Sequence, residues 1–472
     1  MSCSCAPGRG GIDVVKHTPT ACDTLLTNCR LVGCEGRNDH SSSTAVAITG
    51  AHITDIGTDP ELTSRYAAEV HIDGHGALLH PGFIDSHVHV SQYTARSVLP
   101  RMESGPVNMG HWKAEITDED EAASLRLAAI DYFRAGYTGF VDPGTILNPS
   151  AAADVVNEIG IRVWMTDPYV ADRASQLAQR LPELASEGFL SRWPRNTDEA
   201  LRRIGGQLAF NSKTDGLVHG FVGLYGEETA SNELYAAALK IARDAGVQFQ
   251  EHRGYSPAEY LASEARLGRP NLQFLEENEL LGPDITFVHM NYVREVEIAK
   301  FSTTQTKVVW CPYGQMQMLG KGGAQPKMAE LWRAGCQIGI GTDIPRAINF
   351  DALGGLAIAA SAAAGTPLSS TDIFEMRTLA AAKSVGAGTI TGSISIGKRA
   401  DLVLRADTDA QAIAADAHWE SAVLGLSSPP RMVFVNGKIV FRDGIPTTAD
   451  PRRVADQARG SVQSMLKRIG LI

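Results

Sequence analysis

Between residues 81 and 389 short apolar runs alternate with amphipathic segments, and this alternation limits the possible architecture more than any other feature of the chain. The runs are "PGFIDSHVHV" (81–90), "GYTGFVDPG" (136–144), "IRVWMTDPYV" (161–170), "LVHGFVGLYG" (217–226), "VQFQEH" (247–252), "DITFVHM" (284–290), "TKVVWCPYG" (306–314) and "CQIGIGTD" (336–343). Each has the length of a strand and is apolar almost throughout, as strands covered on both faces are. The segments between them have helical patterning. In 117–136, Thr117 with Asp120 makes a capping box and Gly136 a C-terminal stop; 231–246 is similar. Strand followed by helix eight times predicts an α/β fold, a parallel (β/α)₈ barrel of the TIM type with helices outside. An open doubly wound sheet would require a glycine-rich phosphate turn after its first strand, and none follows "HVHV".

The ends of the chain differ from its middle. Residues 22–80 and 390–448 carry short alternating segments with turn residues between them, including a hairpin turning at Asn436-Gly437. Because they flank the barrel, they are expected to join as one composite β-sandwich domain beside it, leaving 81–389 as the barrel and 449–472 as a terminal helix. A chain of 472 residues, 44% hydrophobic and 20% charged, can bury a large core. Its net charge of -10 offers no basic footprint for nucleic acid or anionic lipid, so a small-molecule substrate is expected. No run approaches the roughly 18 apolar residues of a membrane span, and the start lacks the apolar core of a signal peptide. These features predict a cytoplasmic protein. Seven cysteines, among them Cys3 and Cys5, read as reduced thiols rather than a disulfide framework.

Active sites of such barrels lie at the C-terminal ends of the strands. Applied here, that rule selects His87 and His89 on the first strand, His252 on the fifth, His289 on the sixth and Asp343 on the eighth. Residues i and i+2 of a strand face the same way, so His87 and His89 converge. Four imidazoles and one carboxylate on one rim form an N/O set suited to a divalent ion: zinc, cobalt, iron or manganese.

With "PGFIDSHVHV", "FQEHRG", "TFVHM", "IGIGTDIPR" and the late "GSISIGKRADLVL", the chain resembles the amidohydrolase superfamily over about 23–445. The resemblance implies that His87, His89, His252 and Asp343 bind metal and that His289 binds metal or the reacting water. It also implies a homo-oligomer. Members with two metals commonly carry a bridging lysine at the end of strand 4; "LVHGFVGLYGEE" has none, so one ion per chain is expected. Deaminating members usually carry a glutamate three residues after the strand-5 histidine, where this chain has Tyr255. That difference favours attack on a carbonyl, as in the phenylurea and molinate hydrolase branch: a neutral urea, carbamate or thiocarbamate loses amine or thiol in a degradative reaction on foreign compounds. Asp343 would take the water proton and His289 would polarise the carbonyl. Tyr255, Trp112, His111, Arg192 and Tyr313 are the expected substrate contacts. The alternatives are an aminohydrolase of a purine, pyrimidine or s-triazine, and a non-catalytic scaffold barrel.

Overall fold

A computed structural model describes residues 19–34, 44–103, 107–180, 182, 185–226, 229–319, 327–345, 350–405 and 429–472. Cys3 and Cys5 lie outside these residues. Six strands come first: β1 (Thr20–Thr27), β2 (Arg30–Leu31), β3 (Ala45–Thr49), β4 (His52–Gly57), β5 (Tyr66–Asp73) and β6 (Leu78–Pro81). The central region then supplies β7 (Phe83–Asp85), β8 (Tyr137–Asp142), β9 (Arg162–Met165), β10 (Val218–Gly220), β11 (Val222–Gly226), β12 (Phe249–Arg253), β13 (Ile285–His289), β14 (Lys307–Trp310) and β15 (Ile338–Ile340). Four more follow: β16 (Leu402–Leu404), β17 (Met432–Val435), β18 (Lys438–Arg442) and β19 (Ile445–Pro446).

The central strands are TIM-barrel-like, all parallel and in chain order, but they form two sheets, β7-β8-β9-β10 and β11-β12-β13-β14-β15, rather than one ladder. The single run expected at 217–226 is broken at Phe221. Its first half pairs with β9 and its second with β12, while Phe221 N–H donates to Met165 O at 3.1 Å. At the other gap Ser86 N–H donates to Ile340 O at 2.9 Å, and Val88 forms a parallel bridge with Asp343. The expected helix at 117–136 is Asp118–Ala135, with the Thr117/Asp120 capping box and a left-handed Gly136 (φ +83°) in place. Such a cap contributes about 1 kcal/mol. Helix Asn232–Ala245 is bounded by Ser231, whose side chain accepts from Leu234 N–H, and by a left-handed Gly246 (φ +64°).

The terminal strands make a four-stranded sheet, β4-β3-β1-β5, and a six-stranded sheet, β19-β18-β17-β16-β6-β2, which draws on both ends of the chain. Leu26, Val46, Ile48 and Ile72 share a buried cluster with Leu79, Leu402, Leu404 and Phe434. Asn436 (φ +48°) and Gly437 (φ +73°) turn the β17–β18 hairpin, both residues left-handed as a two-residue hairpin loop requires. A buried bidentate ion pair runs from β9 to this region: Arg162 Nε and Nη2 donate to the two oxygens of Asp401 at 2.8 and 3.0 Å. The last helix, Pro451–Arg468, lies against Asp118–Ala135, with Ser461 Oγ donating to Asp120 Oδ1 at 2.6 Å. Among the described residues, no helix is long and apolar enough to cross a membrane.

Candidate metal centre

The histidine-bearing segment is not regular strand as far as expected. β7 stops at Asp85, and the backbone after β15 holds residues 87–89 in place: Asp343 N–H donates to His87 O at 2.8 Å and His89 N–H to Asp343 O at 3.2 Å. This close approach needs glycine at 341, since a Cβ there would stand 2.8 Å from His87 Cβ. Buried Asp85 fixes the same corner, accepting from Thr342 N at 3.0 Å and Tyr132 Oη at 2.7 Å. His289 (φ +84°) and Asp343 (φ +67°) both occupy the left-handed region. For non-glycine residues this costs on the order of 1–3 kcal/mol each, a strain that clusters at functional sites.

The five side chains meet. His89 Nε2 lies 3.3 Å from His87 Nε2 and 3.4 Å from Asp343 Oδ1, and His87 Nε2 is 3.8 Å from the same oxygen. Donor atoms of His87, His89 and His252, and those of His87, His289 and Asp343, fall within 4.8 Å of one another. All five residues are buried. Burial is the main reason the imidazoles stay neutral. It holds His87 well below the usual histidine range and lowers His252 to about 4 and His289 to about 3, with neighbouring imidazoles adding to the effect on His87 and His252.

Neutral imidazole is the ligand form, and the fit can be read atom by atom. His252 Nδ1 is 2.8 Å from Tyr225 O; a carbonyl only accepts, so Nδ1 carries the proton and Nε2 keeps its lone pair. Gln92 Nε2 stands 3.4 Å from His89 Nδ1 while the other end of the amide, Oε1, is buried without a partner. Turning the amide over would let Oε1 accept from Nδ1–H and free His89 Nε2. The Nδ1 atoms of His87 and His289 are buried with no hydrogen-bond partner. A buried N/O donor set with orphaned nitrogens is a group able to hold a divalent metal ion.

The other sequence-selected residues are placed as follows. Tyr255 packs edge-on against His289, with ring centroids 4.9 Å apart. Tyr313 precedes Gly314, whose Cβ position is 3.3 Å from Asp343 Oδ2, in helix Pro312–Leu319. Trp112 is fully buried in an apolar cluster with Leu99, Met102 and Met465, so it packs the first loop onto the last helix. His111 is exposed and joins the capping box of helix Met109–Glu115, its Nδ1 2.8 Å from Asn108 Oδ1. Arg192 straps that helix, donating to Ile116 O at 3.0 Å. The structure therefore brings Tyr255 and the helix of Tyr313 to the group and employs Trp112, His111 and Arg192 in holding a loop. Sequence reading passed over Lys113, which is buried in helix Met109–Glu115 and acts electrostatically on both Asp343 and His252.

A model of the amidohydrolase family matches residues 78–440. The chain belongs to the amidohydrolase family. Relatives over nearly its whole length include the 5'-deoxyadenosine deaminase of Methanosarcina mazei, 23% identical, with 95% of this chain and 99% of the relative covered. The 5-methylthioadenosine/S-adenosylhomocysteine deaminase of Saccharophagus degradans is 27% identical over 76% of this chain and 78% of its own. Among solved structures, an adenosine deaminase from Xanthomonas campestris with bound zinc has a TM-score of 0.78 at 21% identity, covering 95% of this chain and 100% of that one. Atrazine chlorohydrolase from Arthrobacter aurescens complexed with zinc has a TM-score of 0.77 at 20% identity, covering 93% and 100%. Family membership and the buried His/Asp group make this chain a metal-dependent hydrolase of that family.

Proposed function

We propose that this amidohydrolase is a hydrolytic deaminase, replacing an amino group on a heterocyclic ring carbon by oxygen and releasing ammonia. The observation that carries the proposal is the convergence of four buried imidazoles with Asp343. The full-length relatives named as deaminases of 5'-deoxyadenosine and methylthioadenosine support C–N cleavage at a purine over the urea reading that Tyr255 suggested.

In this proposal His87, His89, His252 and Asp343 would hold one divalent ion, with His289 on the ion or on the reacting water. Such an ion supplies Lewis-acid activation of water at neutral pH. Asp343 accepts the proton that water loses as its oxygen bonds to the ring carbon, and later returns it to the departing nitrogen, so that protons balance. His289, held neutral by burial, offers a hydrogen bond to the group gaining charge. The composite β domain, a homo-oligomeric state and a cytoplasmic location belong to the same proposal; the shared core of β1, β3 and β16 supports the first. The deciding experiment incubates zinc-loaded protein with 5'-deoxyadenosine and 5-methylthioadenosine and measures ammonia. Release is expected; its absence, alongside amine release from a phenylurea, overturns the reading.

One observation favours that second reading, hydrolysis of a urea, carbamate or thiocarbamate carbonyl. Beside His289 the chain presents the phenol of Tyr255 rather than a carboxylic acid. An amine or thiolate can then leave with the proton held by Asp343, with no second acid.

A further inference from the structure

Lys113 is only 1% exposed, whereas a lysine on a surface loop ordinarily extends its ammonium into water. Among the described residues its Nζ has no carboxylate within ion-pair distance and no hydrogen-bond acceptor. Its close neighbours are ring faces, with Nζ 4.9 Å from the centroid of Phe189 and 5.8 Å from that of Tyr169. Cation–π contact compensates a buried charge only in part. The arrangement is built rather than incidental. Helix Met109–Glu115 is held from outside by Arg192 and by Ser186 Oγ, which donates to Gly110 O at 2.8 Å, while Trp112 anchors its other face. Tyr169, beneath the ammonium, stacks on Trp193 at 5.5 Å between centroids, Trp193 packs on Tyr225 at 4.9 Å, and the Tyr225 ring meets that of His252 at 5.1 Å, so the aromatic wall that holds Lys113 ends at the metal centre, where Asp343 is the acid that acts on its charge.

We infer that Lys113 is a further catalytic residue of this centre, whose ammonium donates a hydrogen bond to the substrate atom conjugated with the reacting carbon. That atom is a ring nitrogen in a heterocyclic amine or the oxygen in a urea, and negative charge grows on it as water adds. A fixed donor aimed at a growing charge in a dry site stabilises the transition state more than the ground state. The proton stays on Lys113 and no bond to it is made or broken. The inference rests on reading the centre as hydrolytic, and it restricts the substrate to one with an acceptor adjacent to the scissile carbon. Burial also lowers Lys113 to about 8, consistent with an ammonium kept from water.

The test uses the full-length protein with Lys113→Met, Lys113→Gln and Lys113→Arg, each checked for zinc content and melting temperature. Calorimetry with metal-stripped protein compares benzoate with its neutral isostere benzamide as probes. Wild type and Lys113→Arg are expected to prefer benzoate by at least about tenfold, and the two neutral variants to lose that preference. With zinc restored, Lys113→Met should lower kcat by about 10²–10³-fold on whichever C–N substrate turns over, with KM within about threefold and Lys113→Arg partly restoring the rate. Equal preference in wild type and a folded neutral variant overturns the inference while leaving the hydrolase reading intact. A preserved wild-type benzoate preference with no ammonia or amine released from any substrate overturns the functional reading instead. If Lys113→Met does not fold, Lys113→Gln decides by the same measurements.

Discussion

The ring of Tyr255 stands edge-on to that of His289, 4.9 Å between centroids and 69° between planes. This pair separates the two chemistries. As a wall, Tyr255 keeps its ring in Tyr255→Phe, and turnover should fall less than about tenfold, below the general acid–base range. Tyr255→Glu places a carboxyl group beside His289, which should raise ammonia release from a heterocyclic amine under the deaminase reading. Steady-state assays of both variants check this, and a gain in urea cleavage instead would reverse the assignment.

Asp343 touches both first-strand histidines and carries the proposed proton. Asp343→Asn should therefore lower kcat by at least about 10²-fold. Elemental analysis should still find zinc, since three imidazoles remain within reach of one another; a variant with near-normal turnover would remove Asp343 from the proton path.

Metal and activity should be lost together in His252→Ala and His87→Ala, while the far-ultraviolet circular dichroism stays that of the parent. The apolar core between the parallel sheets and their helices lies among other residues. Metal analysis of the parent should approach one ion per chain, and dialysis against a chelator should lower its melting temperature, because a ligand bound only by the folded state stabilises it.

The contribution of two buried carboxyls, Glu121 and Asp142, to stability should fall as pH rises through the neutral range. Burial pushes Glu121 up to about 7 and Asp142 up to about 6, against backbone hydrogen bonds that pull both down. The folded state thus holds these protons more tightly than the unfolded chain. Their contribution is full below the ordinary carboxylate range and is lost as pH rises through 6 to 7. The buried imidazoles act in the opposite sense below the ordinary histidine range, so the measurement is a difference: relative to Glu121→Gln, the urea midpoint of the metal-stripped parent should fall as pH rises from about 5 to 8.

Arg162 and Asp401 are almost wholly enclosed. Burial alone would raise the Asp401 carboxyl, yet the guanidinium and the Asn436 N–H hold it below its ordinary value. Arg162→Met strands that charge and should cost about 3–5 kcal/mol in equilibrium unfolding. The double variant with Asp401→Leu should recover much of the loss.

What could be read from sequence was what local chemistry decides. The capping box at Thr117, the stop at Gly136 and the turn at Asn436-Gly437 each depend on a few neighbouring residues, and the structure has all three. His87, His89, His252, His289 and Asp343 stood out because each ends an apolar run. Other features depend on partners far along the chain. β7 ends early because the segment from His87 to His89 is held by Asp343, and the break at Phe221 reflects a change of partner from β9 to β12. Nothing in "MGHWKAE" shows that Trp112 turns to the last helix while Lys113 turns inward, since residues from 185–193 and 465–469 decide it.

β6 lies between β2, close behind it in the chain, and β16, whose Leu402 pairs with Pro81 about 320 residues later. At roughly 5–20 residues per second, a ribosome needs on the order of 16–64 s between making these two strands. Throughout that interval one edge of an apolar strand has no native neighbour, and unpaired edges are templates for the wrong chain. Yield in a heterologous host should therefore depend on crowding among nascent chains, and slower initiation or lower temperature should recover more active protein than refolding finished chains.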